Sequence, residues 1–207
     1  MRPTERIKEA QRVLESEAKA IFASSKKIGL NFSKCVDLII NCKGTIVISG
    51  IGKSGNIGRK ITSTLASLGT PSIFLHTSDA FHGDLGILRK NDLLILISNS
   101  GETDELVRLL NYANKNGIKS IAITGKIDST INKKATGTLN AVVENEACPL
   151  NLAPTCSTSV TMALGDALAS ICAMERGFKE NDFARFHPLG NLHKLNFEIV
   201  DNIMNTK

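Results

Sequence analysis

The sequence predicts an α/β fold, an α/β/α sandwich with a doubly wound, five-stranded parallel sheet between helical layers. Two observations carry the prediction. Short apolar or β-branched runs alternate with stretches of helical periodicity, the order that right-handed strand–helix–strand units produce. The run Leu93–Ser98 (LLILIS) is apolar without alternation, as suits a parallel strand covered on both faces.

The elements follow in order. Ile7, Ala10, Leu14, Ala18 and Ile21 keep helical spacing, and a second lead helix runs from Phe32 to Ile40 after Gly29. Residues 45–49 (TIVIS) form the first strand. Ile57, Ile61, Leu65 and Leu68 then fall on one helix face, which Gly69, Thr70 and Pro71 end. Residues 72–75 (SIFL) and 93–98 are the second and third strands. Leu106, Leu109, Leu110 and Ala113 mark a helix closed by Gly117. Residues 118–124 and 138–143 are the fourth and fifth strands. The last long helix covers about residues 157–176, with Val160, Leu164, Ala167, Ile171 and Met174 in its stripe. Between Ser159 and Met174 its only charge is Asp166, so it is buried in the core or against a subunit.

With 207 residues and neither an internal repeat nor a linker, the chain reads as a single domain over 1–207. Apolar residues at 42% and charged residues at 22% describe an ordinary globule, large enough to fold without a metal or disulfide staple. The net charge of +5 comes without a dense basic block, and Tyr112 is the only Tyr beside no Trp, which argues against a nucleic-acid partner. The longest purely apolar stretch, Leu93 to Ile97, is far short of a membrane span, and the start MRPTERIKEAQ has no apolar signal region. Five cysteines (35, 42, 148, 156 and 172), odd in number and without C-x-x-C, fit reduced thiols in the cytoplasm rather than a disulfide framework or zinc site.

In a doubly wound sheet, ligands bind beyond the carboxyl ends of the strands, which directs attention to the loops after Ser49, Leu75, Ser98 and Val143. Residues 50–55 (GIGKSG) match the dinucleotide fingerprint G-x-G-x-x-G, but the second strand ends in Leu75 and His76 with no ribose-binding acid. A P-loop needs Gly five residues before Gly52, where Val47 stands. What survives is a Gly-rich helix N-terminus, with Lys53 as a point charge, suited to an anion. The stronger signal is Ser98-Asn99-Ser100-Gly101-Glu102-Thr103. One N-cap needs one hydroxyl. Three hydroxyls around a Gly at a helix start suit a phosphate monoester. Glu102, Asp104 and Glu105 complement that helix's dipole, and Glu105, one turn inside, could reach the carbons of a bound sugar phosphate. Thr155, Ser157, Thr158 and Ser159 before the last helix are caps or a second set of donors. His187 precedes Pro188 and is held extended.

Taken together, G-x-G-K-S-G (50–55), H-G-D-L-G (82–86), S-N-S-G-E-T-x-E (98–105), E-A-C-P-L-x-L-A-P-T (146–155), G-D-A-L-A (165–169) and F-H-P (186–188) resemble the sugar isomerase (SIS) domain family. More narrowly they resemble its D-arabinose 5-phosphate isomerases, over roughly residues 30–195. The resemblance implies interconversion of D-ribulose 5-phosphate and D-arabinose 5-phosphate, a step toward 3-deoxy-D-manno-octulosonate of lipopolysaccharide or capsule. It implies a cytoplasmic homotetramer with shared active sites. The residues that match the family's active site are Lys53, His82, Glu105, Glu146 and His187. After His187 the family often reads H-P-G-G-x-L-G-R; here Leu189 replaces a Gly. Residues 199–204 resemble the opening of a CBS module, so the expectation is either a short form without the CBS pair or a chain cut before it.

Aldose–ketose isomerisation needs a phosphate anchor, a base at C1/C2 and a donor for the developing oxyanion; it requires no redox cofactor or metal. Ser54, Ser98, Ser100 and Thr103, with Gly52 and Asn99, are assigned to the substrate, joined by Thr155, Ser157 and Thr158. Glu105 is the preferred base and His187 its rival, with His82 or His187 assisting ring opening and Lys53 holding the oxyanion. The alternatives are another phosphosugar isomerase, such as one acting on hexulose 6-phosphate, and a non-catalytic sugar-phosphate sensor. Residues 1–44 are too few and too unlike a DNA-reading head for the sensor.

Overall fold

A computed structural model describes residues 1–188. Two lead helices, α1 (Pro3–Ser25) and α2 (Leu30–Ile40), precede β1 (Ile46–Gly50), α3 (Gly52–Ser67) and β2 (Ser72–Phe74). The short α4 (Thr77–Ala80) and a 3₁₀ turn (Asp84–Ile87) lead to β3 (Leu93–Ser98). Then come α5 (Asp104–Lys115), β4 (Lys119–Thr124), α6 (Thr130–Lys134), β5 (Gly137–Asn140), α7 (Cys156–Glu175) and α8 (Glu180–Phe186). The expected five-stranded sheet is present, in the order β2-β1-β3-β4-β5 with every pair parallel. The Gly190–Lys194 part of the last motif, Leu189, and the CBS-like segment lie outside the described residues.

The continuous apolar strands are two-faced in space. Ile46, Ile48, Leu93, Ile95 and Ile97 point to the layer made by α2, α3 and α7. Val47, Leu94 and Leu96 point to the layer of α5 and the 75–88 segment, so successive side chains enter opposite cores. Fully burying each such side chain contributes roughly 1.5–3 kcal/mol. Helix α3 lies close on the sheet because a Cβ on Gly55 would come within 2.7 Å of the Gly50 carbonyl oxygen. The last glycine of the 50–55 motif is thus explained by packing. All five cysteines are free thiols, and burial pushes those of Cys35 and Cys172 up to about 11.

Three expectations change. The fifth strand stops at Asn140, where the Asn140 side chain accepts from the Val142 amide at 2.8 Å and turns the chain out of the ladder. The helical stripe of α1 faces outward: Ile7 and Leu14 are 59% and 69% exposed. The face of α1 that meets α7 carries Val13, Glu17 and Ala20, and Ser159 Oγ donates to Glu17 at 2.7 Å. Helices α4, α6 and α8, none longer than seven residues, add to the elements that periodicity predicts. Helix α7 is the one described helix long and apolar enough to cross a membrane, and most of its apolar window is buried against α1, α2 and α3.

Candidate functional site

Because all five strands run parallel, their carboxyl ends share one edge, and the 50–55 and 98–103 turns sit side by side after the paired strands β1 and β3. Ser98 is buried. Its hydroxyl accepts from the Gly101 amide at 3.0 Å and pairs with Thr103 Oγ1 at 3.0 Å. Ser98 therefore shapes the turn, while Asn99 and Ser100 are exposed upon it. Gly101 is required here: its φ is +63°, and a Cβ would overlap Ser129 Oγ. The turn is braced from outside by α6. The Ile131 amide donates to the Gly101 carbonyl at 3.1 Å, and the Thr130 amide donates to Glu102 at 2.7 Å. Glu102 thus serves the N-terminus of α6 as well as lying before α5, and that backbone bond lowers its pKa.

The first turn of α3 begins at Gly52, φ +58°, after β1. Lys53 is exposed there and Ser54 half-buried. Ser54, Asn99, Ser157 and Thr158 line one narrow cleft of about 20 Å³, with Gly125 and Pro154. Four sequence-assigned binding residues, from the first turns of α3 and α7 and from the turn after β3, thus meet. A ligand of sugar size would lie across the mouth of so small a cleft. Gly125 is a site residue that the motifs miss. It directly follows β4, and a Cβ there would overlap the Asn99 side chain; a Gly at the carboxyl end of a strand is the available signal.

Glu146 is half-buried beside the start of α7. One carboxylate oxygen accepts from the Thr155 amide (2.8 Å), Thr155 Oγ1 (3.1 Å) and the Ser157 amide (3.2 Å). The other accepts from Ser157 Oγ. Burial raises its pKa, but the bonds from Ser157 and Thr155 outweigh burial and hold the carboxyl below its ordinary value. Thr155 and Ser157, expected as phosphate donors, are engaged by this carboxylate. Thr158 is not among its donors; its hydroxyl donates to the Thr155 carbonyl at 2.9 Å. Glu105, in the first turn of α5, is exposed and has no ion pair or hydrogen-bonded side-chain partner among the described residues.

The two histidines are not brought to this cleft within one chain. His82 is exposed between α4 and the 3₁₀ turn, on a segment that crosses to the amino edge of the sheet, where Gly83 and Asp84 share a cavity with Thr45 and Ile73. His187 caps α8 beyond the far end of α7, a helix of 20 residues, roughly 30 Å long. That end is fixed at the amino edge: Arg176 donates to Thr70 Oγ1 at 2.6 Å, and Phe178 and Phe186 pack on Gly69. The His187 ring stacks on Phe183 at 3.9 Å, and its Nδ1 lies 2.9 Å from the Phe183 carbonyl oxygen. A carbonyl can only accept, so Nδ1 is the donor in that bond. Among the described residues no group of three or more His, Cys, Asp or Glu side chains could hold a metal ion.

The parallel sheet between helical layers and the paired turns at its carboxyl edge define an α/β/α sandwich, and the chain belongs to the SIS domain family, whose model matches residues 38–171. A protein of Escherichia coli O6:H1 strain CFT073 named arabinose 5-phosphate isomerase KpsF is 47% identical over 199 residues, covering 96% of this chain and 61% of the relative. Arabinose 5-phosphate isomerase KdsD of Pseudomonas aeruginosa is 46% identical over 198 residues, with the same 96% and 61% coverage. The chain thus spans about three fifths of the length of these relatives. A solved structure from E. coli CFT073, in complex with arabinose 5-phosphate, superposes with TM-score 0.87 at 37% identity, covering 91% of this chain and all of that one.

Proposed function

We propose that the chain is an aldose–ketose isomerase that interconverts D-arabinose 5-phosphate and D-ribulose 5-phosphate through a cis-enediol. The observation that carries the reading is the contrast among acids at the carboxyl edge. Glu102 is bound to α6 and Glu146 to α7, whereas Glu105 is unpaired, one helical turn from a hydroxyl-rich turn built for a phosphate. The named relatives and the sugar-phosphate complex of the E. coli structure support the choice of substrate.

In this reading Ser54, Asn99, Ser100 and Thr103, with the amides of Gly52 and the 98–103 turn, hold the phosphate, and Thr158 adds a donor from α7. Ser98 supports that turn from below. Glu146, held by Thr155 and Ser157, orients sugar hydroxyls at the rim. After ring opening, Glu105 takes the proton from C2 of the aldose while the C1 oxygen gains one. The cis-enediol then receives the carried proton at C1 as the C2 hydroxyl gives up its own. Lys53 stabilises the charge that develops on oxygen. The scheme uses no metal and no redox cofactor.

His82 and His187 enter this scheme only if the site is shared, with both arriving from neighbouring subunits. The exposed Ile7, Leu14 and Phe22 on α1 support such an assembly, because a patch of this kind on a monomer favours association. The reading is a homotetramer in the cytoplasm, supplying arabinose 5-phosphate toward lipopolysaccharide or capsule sugars. The test is turnover of a panel of pentose and hexose phosphates in EDTA without NAD or ATP. Arabinose 5-phosphate and ribulose 5-phosphate should react fastest. Faster turnover of a hexose phosphate rejects the substrate, loss of activity in EDTA rejects the metal-free scheme, and binding without turnover favours the sensor.

A further inference from the structure

Helix α1 packs along α7 and sends two polar side chains toward the first turn of α7 and the segment that carries Glu146. Glu17 accepts from Ser159 Oγ at 2.7 Å. Arg12 reaches the segment itself: its Nη2 donates to the Ala147 carbonyl at 2.6 Å, across 135 residues of sequence. The guanidinium is held in one orientation, because Glu9, one turn earlier, accepts from Nη2 at 2.7 Å and from Nε at 2.9 Å. Such a fork fixes the plane of the arginine as well as its charge.

The carbonyl that Arg12 holds belongs to the residue next to Glu146. Ala147 is buried and is gripped at both ends. Its amide donates to Thr155 Oγ1 at 2.8 Å, and Thr155 Oγ1 donates in turn to the Glu146 carboxylate at 3.1 Å. A continuous run of hydrogen bonds therefore joins Arg12 to Glu146 through Ala147. The rest of the loop closes on itself. The Glu146 amide donates to Asn151 Oδ1 at 2.6 Å, and the amides of Leu152 and Ala153 each donate to Cys148 Sγ at 3.1 Å. These bonds set the shape of the loop, and Glu146 ties it to α7. Arg12 is the one donor to the Ala147 carbonyl among the described residues. Removing that donor leaves the carbonyl unpaired and the loop free to shift with its carboxylate.

We propose that Arg12 is a positioning residue for the reaction: through Ala147 it holds the Glu146 carboxylate where that group meets the sugar hydroxyls. The inference rests on the proposed isomerisation. Steady-state kinetics with arabinose 5-phosphate compare the parent with Arg12→Met, Arg12→Lys, Glu146→Gln and the double variant of Arg12→Met with Glu146→Gln. Each protein is first shown to be folded at the assay temperature. Hydroxyl contacts serve the ground state and the transition state alike, so Arg12→Met should raise KM at least about threefold with kcat within about twofold of the parent. Arg12→Lys keeps one donor for the carbonyl without the fork to Glu9, and its KM should stay within about twofold of the parent. In the double variant, Arg12→Met should add less than about 1.5-fold to the KM of Glu146→Gln, because residues acting as one unit are not additive. An Arg12 that only stabilises the fold would lower Tm, and any effect on KM would multiply with that of Glu146→Gln. Amide exchange of the 146–155 segment, read by mass spectrometry without substrate, should quicken at least about threefold in Arg12→Met and not in Arg12→Lys. The proposal is overturned by an unchanged KM in Arg12→Met, by a fully multiplicative effect in the double variant, or by unchanged exchange. No turnover in the parent rejects the reaction and this role with it. Exchange tells the two failures apart: if it still quickens, Arg12 holds the loop of a protein that is not this isomerase.

Discussion

Replacing Glu146 by Gln isolates the carboxylate that ties the 146–155 segment to α7. The Gln side chain keeps one oxygen for the Thr155 and Ser157 amides and presents an NH₂ group to Ser157 Oγ, which can rotate to accept. What is lost is the charge: the assistance it gives to four hydrogen bonds and its attraction to the N-terminus of α7. The dipole part is about 0.3–1 kcal/mol. Hydrogen bonds to charged groups contribute about 1 kcal/mol more than neutral ones. The partial exposure of Glu146 limits the sum to about 1–2 kcal/mol. For a chain of this size that is a fall in Tm of about 2–8 °C, at 2–4 °C per kcal/mol. The pH dependence has a defined sign. The folded carboxyl titrates below its ordinary 4.5, so its contribution is fully present above about pH 4.5 and is lost as pH falls through the lowered value. Thermal melts of parent and variant at one protein concentration, from pH 7 down to pH 3, check this. A Tm gap that is absent at pH 7, or that does not narrow in acid, would refute the assignment of Glu146 as an ionised cap.

Gly101→Ala forces a left-handed residue, at roughly 1–2 kcal/mol, and drives a methyl into Ser129. Melting should show a loss of at least about 2 kcal/mol, and steady-state kinetics a KM raised more than tenfold as the turn's donors shift. Glu105→Gln and His187→Asn should each be inactive alone. Co-refolded at equal amounts, they should regain activity in about a quarter of the sites, if each site draws the two residues from different subunits at random. Mixtures no more active than either variant would contradict shared sites.

The legibility of the fold varies with how local the cause is. LLILIS is readable to the residue because both its faces are buried and every position but the last is apolar. Residues 138–143 read too long because an edge strand needs cover on fewer positions, and its end is set by Asn140 folding back on Val142. Helix α6 has one buried residue, Ile131, and exists because Ser129 caps it and Glu102 and Gly101 accept its first amides, contacts nearly 30 residues away in sequence. The candidate site divides the same way. Its turns are legible because glycines and hydroxyls cluster locally. The engagement of Thr155 and Ser157 by Glu146, and the position of His187 beyond the far end of α7, depend on how the chain crosses the sheet. Spacing along the sequence carries neither.

In the proposed reaction the unpaired Glu105 moves the proton between C2 and C1. The most direct test is kcat of Glu105→Gln with arabinose 5-phosphate, measured beside substrate affinity. Gln keeps the side chain's shape but cannot accept a carbon-bound proton. The variant's kcat should be lower by about 10²–10⁴, the span of general acid–base groups, or roughly 3–5 kcal/mol of barrier, with affinity little changed. A variant that turns over within tenfold of the parent, and loses only the small stability that dipole complementarity supplies, would contradict it and shift the base to His187.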